Sequence, residues 1–132
     1  YYGRAHSNSD ITIYLPEDKL LFIGDLAVNH TLPAFPDGHI TKWIEVMQEV
    51  SSIDADIIVP GHGGVGGRSE FEDSKALLEL LDREIRRGYD LGLSEEDTIK
   101  QVNMGDFGSF LNQDRIGLIT SMAYQAYNGT LV

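Results

Sequence analysis

Residues 57–67 read IIVPGHGGVGG, a β-branched apolar run that empties into five glycines around one histidine. An apolar strand followed at once by so many glycines restricts the chain to a sharp turn at the end of a buried strand. Two chemistries use such a turn. Gly61, Gly63 and Gly66 fit G-x-G-x-x-G, which cradles a pyrophosphate when a strand precedes it and a helix follows. Alternatively, glycines on each side of His62 clear space around the imidazole and present it to a ligand. The phosphate reading expects an acidic residue about 20 positions on, at the end of a second strand. Asp82 and Glu84 fall near that distance but inside a helical pattern. Pro60 removes an N–H donor beside the first glycine, and a Walker lysine is absent. The nucleotide-binding module is therefore the weaker alternative.

The surrounding pattern alternates strand and helix. Residues 11–15 (ITIYL) and 20–23 (LLFI) flank Pro16-Glu17-Asp18-Lys19 and read as a hairpin. Their continuous apolar character predicts strands covered on both faces. Gly24-Asp25 ends the second strand, and 27–39 reads as a long functional or surface loop. Ile40, Ile44, Met47, Val50 and Ile53 recur at helical spacing, predicting a helix over about 40–52 with Trp43 packed beside the stripe. A short strand spans 56–59. Ser69 and Glu72 have capping-box spacing for a helix closed near Gly88. Ser94 is placed to cap a short helix through Val102, 105–113 reads as loop, and Asp114 is placed to cap a last helix. The fold class is α/β, with the part after about Ser94 a helical tail.

Composition narrows the chemistry. The 132 residues suffice for one modest domain, and they contain no cysteine, so disulfides and Cys-ligated zinc are excluded. A formal charge of −11, from 21 acidic against 10 basic residues, opposes nucleic-acid and anionic-lipid partners. No apolar run reaches the length of a membrane span. Any metal must be held by His and Asp or Glu. His6, Asp25 and His62 each sit where a strand meets a loop, and two imidazoles with a carboxylate form a ligand set that zinc accepts. Each also has an ordinary reading: His6 as a hydrogen-bonded surface histidine, Asp25 as a turn residue, His62 as a bystander in a glycine turn. His30 and His39 read as solvent-facing.

Three stretches together, Gly3-Arg4-Ala5-His6-Ser7-Asn8-Ser9-Asp10, Leu21-Phe22-Ile23-Gly24-Asp25 and Val59-Pro60-Gly61-His62-Gly63, resemble the later motifs of the metallo-β-lactamase superfamily. The resemblance covers roughly residues 3–90. It implies half of an αββα sandwich, with 1–93 the C-terminal half of such a domain and 94–132 a helical extension of it. It also implies one or two metal ions, zinc by family habit, with iron or manganese compatible with the donors. His6 would ligate the first ion, Asp25 would bridge both and serve as the catalytic residue, and His62 would ligate the second. Ser7 and Asp10 are candidates to support His6. Metal-bound hydroxide would attack an ester, thioester, lactam or similar bond of a small-molecule substrate.

The chain departs from the family at two points. H-x-H-x-D-H, the family's first motif, does not occur, and Ser9 replaces a common glycine. The opening residues read as the middle of a domain, so the chain is expected to be inactive alone. A half-sandwich exposes the apolar face of its sheet, which predicts self-association or pairing with the missing N-terminal half. The rival expectation is a non-catalytic binding or assembly fragment of the same fold.

Overall fold

The computed structural model describes residues 1–131. A hairpin opens the sheet: β1 (Ile13–Leu15) runs antiparallel to β2 (Leu20–Val28), with Tyr14 opposite Leu21. Lys19 N–H donates to the Pro16 carbonyl at 3.3 Å, so the Pro16–Lys19 segment is the turn its composition predicts. α1 (Ile40–Val50) carries the chain over to β3 (Ile57–His62), which lies parallel to β2 and completes a sheet of order β1-β2-β3.

α1 and α2 (Arg68–Asp90) bury the apolar stripes their spacing predicts. Ile40, Trp43, Met47, Leu77, Leu78, Leu81 and Ile85 meet Leu21, Ile23 and Ile58 in the core. α3 (Glu95–Gln101) and α4 (Ile116–Tyr127) pack on α2 and on each other. Two 3-10 turns, Gly105–Ser109 and Gln113–Arg115, occupy the segment between them. Among the described residues no helix is long and apolar enough to cross a membrane.

Several local expectations change. β2 does not stop at Gly24; it continues to Val28 across register irregularities on either side of Gly24. The irregularity turns the strand without ending it, and this carries Asp25 into the strand. Thr31, Leu32, Pro33 and Phe35 are buried, so the following segment is packed structure and not a surface loop. α2 starts one residue before Ser69, and Glu70, not Glu72, accepts from the N-cap Gly67 N–H at 2.8 Å. The helix also runs past Gly88, which lies buried against the Thr98 side chain of α3. Ser94 caps α3 as its sequence predicts, accepting from Asp97 N–H at 3.1 Å. Asp114 caps nothing: it sits in the 3-10 turn that leads into α4. His39 is not simply solvent-facing, because its Nδ1 accepts from Lys42 N–H at the start of α1.

The sheet departs from the two-sided cover that its continuous apolar runs predict and agrees with the exposed face expected of a half-sandwich. Its strands are covered on one face only. Ile13, Leu15, Phe22 and Ile57 point from the other face and are 56%, 40%, 41% and 45% exposed.

Candidate metal-binding edge

Three backbone features bring His6, Asp25 and His62 to one end of the sheet. His62 is the last residue of β3, and Asp25 follows the irregularity in neighbouring β2. Parallel pairing therefore delivers both side chains to the same end. The glycines explain how close they come. A Cβ on Gly61 would collide with Asp25 Oδ1, and it would stand 2.9 Å from the Asp25 backbone N. Gly63 has φ +91°, and a Cβ there would lie 2.6 Å from the Asn29 carbonyl oxygen. At these two positions the turn lies directly on β2 and the residue that follows it, whereas Gly66 lies against the Glu70 side chain. Asn29 fastens the turn, donating from Nδ2 to the Gly64 carbonyl at 2.6 Å. Gly61 and Gly63 thus let the turn seat His62 beside Asp25, and Asp82 and Glu84 lie within α2.

His6 comes from the segment before β1. Its ring stands edge-on to Trp43, with centroids 5.1 Å apart, and the Trp43 indole N–H donates to the Leu26 carbonyl at 2.9 Å. A buried tryptophan thereby props the imidazole. Asp10 braces the adjoining turn by accepting from both Ser7 N–H (2.8 Å) and Ser7 Oγ (2.9 Å). His6 Nδ1 lies 3.9 Å from Asp10 Oδ1.

Asp25 lies between the two histidines. Its Oδ1 is 3.4 Å from His62 Nε2 and its Oδ2 is 3.9 Å from His6 Nε2. His6 is well covered, whereas the His62 side chain is 67% exposed. Both imidazoles line a cavity of about 250 Å³, together with Thr31, Pro33, Ala34 and Arg115. A larger open groove of about 720 Å³ follows Arg83, Arg86, Arg87 and Asp90 on α2 and contains none of the three residues.

Two imidazoles and a carboxylate suit zinc chemically. The set is incomplete as folded: among the described residues no group of three or more His, Asp or Glu converges closely enough to hold an ion. The reason is visible at His6, whose Nε2 donates to the Ala34 carbonyl at 2.8 Å. A carbonyl can only accept, so the proton sits on Nε2 and that nitrogen has no lone pair to offer an ion. Sequence reasoning did not anticipate the Ala34 contact or the entry of Arg115 into the cavity. Nothing in the spacing of either residue points to His6 or His62.

The sequence profile described as the metallo-β-lactamase superfamily matches residues 1–62. A type 2 metallo-β-lactamase of Bacteroides fragilis is 28% identical over 83 residues, covering 59% of this chain and 33% of that protein. The linear primary-alkylsulfatase of Pseudomonas sp. (strain ATCC 19151) is 23% identical over 142 residues, covering 96% of this chain and 27% of that protein. Among solved structures, VMB-1 superposes with a TM-score of 0.55 at 36% identity, over 60% of this chain and 38% of that one. The α/β fold is therefore shared with solved metallo-β-lactamases over about three-fifths of the chain. The first 62 residues thus resemble the metallo-β-lactamase superfamily, and the chain spans a third or less of the length of these two curated relatives.

Proposed function

We propose that this chain is the C-terminal portion of a metal-dependent hydrolase, with residues 1–93 contributing half of the sandwich and 94–132 a helical extension. The reading rests on one observation: the Asp25 carboxylate stands within 4 Å of both imidazoles, which line a shared cavity. His6, Asp25 and His62 would hold the metal, and zinc fits the donors best. When bound, such an ion acidifies water and polarises the scissile carbonyl or its equivalent. The chain's own residues do the rest. Asp25 places negative charge between the two imidazoles and is the acceptor toward which a ring N–H can turn. Trp43 and the Asp10–Ser7 turn hold His6 in orientation. The Gly61–Gly64 turn keeps His62 at the cavity mouth.

The absence of H-x-H-x-D-H from this sequence supports an incomplete ligand set. The exposed apolar face at Ile13, Phe22 and Ile57 supports pairing with a second sheet, either the complementary half or another copy of this chain. The substrate would be a small molecule bearing an ester, thioester, lactam or sulfate-type linkage. The relatives named for a β-lactam and for an alkyl sulfate both favour hydrolysis of a polar acyl or sulfuryl bond. The test is reconstitution. The chain is mixed with a separately produced half-domain carrying H-x-H-x-D-H, and ester and lactam hydrolysis is measured with and without zinc. Activity that appears only in the mixture, needs zinc, and disappears in Asp25→Asn supports the reading. Zinc-dependent activity indifferent to Asp25→Asn contradicts it. A non-catalytic assembly role would give a stable mixture with no hydrolysis.

A further inference from the structure

The chain contains five asparagines, and the last of them, Asn128, is followed by glycine. Asn128 is the C-cap of α4 and is exposed. An asparagine can be attacked by its own backbone, when the nitrogen of the next residue adds to the side-chain amide carbon. Glycine in the next position makes this easiest, because it has no Cβ to shield that nitrogen. Gly129 is open in this sense: its φ is +68°, and a Cβ there would meet no atom within 4 Å. The other four asparagines precede Ser9, His30, Met104 and Gln113. Three of those four side chains are also engaged. Asn29 Nδ2 donates to the Gly64 carbonyl, Asn112 Nδ2 donates to Thr31 Oγ1, and Asn103 Oδ1 accepts from Gly105 N–H.

The fold adds an activating contact. Tyr89 of α2 donates its hydroxyl to Asn128 Oδ1 at 2.8 Å. That oxygen gains negative charge when the amide carbon is attacked, so a donor already in place favours the step. Asn128 Nδ2, the group that must leave, makes no hydrogen bond among the described residues. The attacking nitrogen is lightly held. Gly129 N–H donates to the Ala126 carbonyl at 3.2 Å, longer than the 2.9 Å bonds that Asn128 and Thr130 make to Tyr124 and Gln125, and helix ends fray.

We propose that Asn128 is a self-modification site, deamidating in the folded chain through a succinimide with Gly129 while Tyr89 steadies the amide oxygen. The step balances with water alone. Gly129 N loses its proton and bonds to Asn128 Cγ; the Cγ–Nδ2 bond breaks and ammonia leaves. Water then opens the ring. Opening at Cγ leaves aspartate, and opening at the main-chain carbonyl leaves isoaspartate, whose backbone runs through the side chain. Either product places a negative charge at the C-terminal end of α4, where the helix dipole opposes it. Isoaspartate also lengthens the backbone next to Tyr127. Tyr124 and Tyr127 donate to the Leu93 carbonyl at 3.0 Å and to Asp82 Oδ1 at 2.7 Å, and so dock α4 on α2 and the loop after it. Conversion at Asn128 therefore loosens that docking as the protein ages. None of this chemistry needs the metal or the hydrolase reading.

The test is incubation of the purified, folded chain in mildly alkaline buffer, where the attacking nitrogen loses its proton more readily, beside a mildly acidic sample. Trypsin releases residues 116–132, which hold Asn128 and no other asparagine. The expected result is a time-dependent gain, in that peptide, of the mass difference between water and ammonia. It should be faster in the alkaline sample, with isoaspartate detected by isoaspartyl methyltransferase; a sample digested at time zero sets the baseline. Asn128→Gln keeps an amide on a longer side chain and should lose the signal. Tyr89→Phe keeps the ring, removes the donor and should slow the conversion. Aged protein, and Asn128→Asp, should melt at a lower temperature than fresh protein. No gain in the folded chain over a period in which the urea-unfolded chain converts would overturn the proposal, because the fold would then shield the site. An equal gain in Asn128→Gln would also overturn it, placing the change at Gln125. An unchanged or faster rate in Tyr89→Phe would overturn the part given to Tyr89. An unchanged melting temperature in converted protein would overturn the loosening of α4.

Discussion

Leu21, Ile23 and Ile58 point from the sheet into the core, while Ile13, Phe22 and Ile57 point from its other face toward solvent. Both faces are made of the same residue types, because strand side chains alternate and these strands are apolar at almost every position. Only one face has helices over it. The difference teaches that the sequence of a strand states how many faces want covering, but not whether the cover lies in the same chain. Burial on the helical side supplies the stability of this chain. The open side is the one that the proposed pairing would cover.

The comparison breaks most visibly if the covered side is cut. Trp43→Ala removes a fully buried indole, its bond to Leu26 and its support of His6, and should destabilise by about 3–5 kcal/mol in urea unfolding. Phe22→Ser, one strand away on the open face, should change stability by no more than about 0.5 kcal/mol. Sedimentation velocity should show that it lowers self-association. A large loss of stability from Phe22→Ser in a monomer would mean that the open face is not open in solution.

Gly61→Ala tests the edge between the two faces. Its Cβ would meet the Asp25 carboxylate, so about 1–3 kcal/mol of strain is expected, with displacement of Asp25 visible in the amide spectrum of β2. Tyr127→Phe tests the tail. Tyr127 donates its hydroxyl to Asp82 Oδ1 at 2.7 Å and lies under the Arg86 guanidinium at 3.9 Å. Burial, and secondarily Asp82, raise the phenol above its ordinary value, so it stays neutral and donating. Removing the hydroxyl should cost about 1 kcal/mol in thermal or urea unfolding.

The smallest effect is a slope with pH. Burial, followed by the nearby Lys42 and Arg4 charges, lowers the His39 pKa below its ordinary value of 6.5. The unfolded chain then binds the proton more readily, so this contribution to stability is full above about pH 6.5 and falls as the pH drops toward the folded value. His39→Asn keeps a helix-capping side chain and removes the titration. Melting temperature followed from pH 7.5 to 5 should lose part of its acid-side decline in this variant.

Much of this architecture is legible from the chain's own chemistry. Pro16 to Lys19 turns, α1 follows its stripe, and Ser94 caps α3, because each depends on neighbours in sequence. Three features needed distant partners. β2 passes Gly24 because β3 lies alongside and continues the ladder. Glu70 takes the capping role because the chain before α2 is held at Gly67, two residues earlier than Ser69 suggests. Arg115 enters the cavity through bonds to residues 30–32, some eighty positions away, which no local spacing reports. The motifs around His6, Asp25 and His62 group them in the sequence, and the fold brings the three to one end of the sheet; their role as ligands is a proposal. The Ala34 carbonyl that holds His6 Nε2 carries no side-chain signature.

The central claim is that His6, Asp25 and His62 form part of a metal site. Calorimetric titration of zinc into the metal-free chain tests it most directly, with His62→Ala and Asp25→Asn alongside. The account predicts one zinc per chain, weakened at least about tenfold in each variant, the lower end of what losing even an outer partner of a metal ligand costs. Saturation should also shift the His6 ring signals as Nε2 leaves Ala34. No zinc binding, or binding unchanged in both variants, would contradict it.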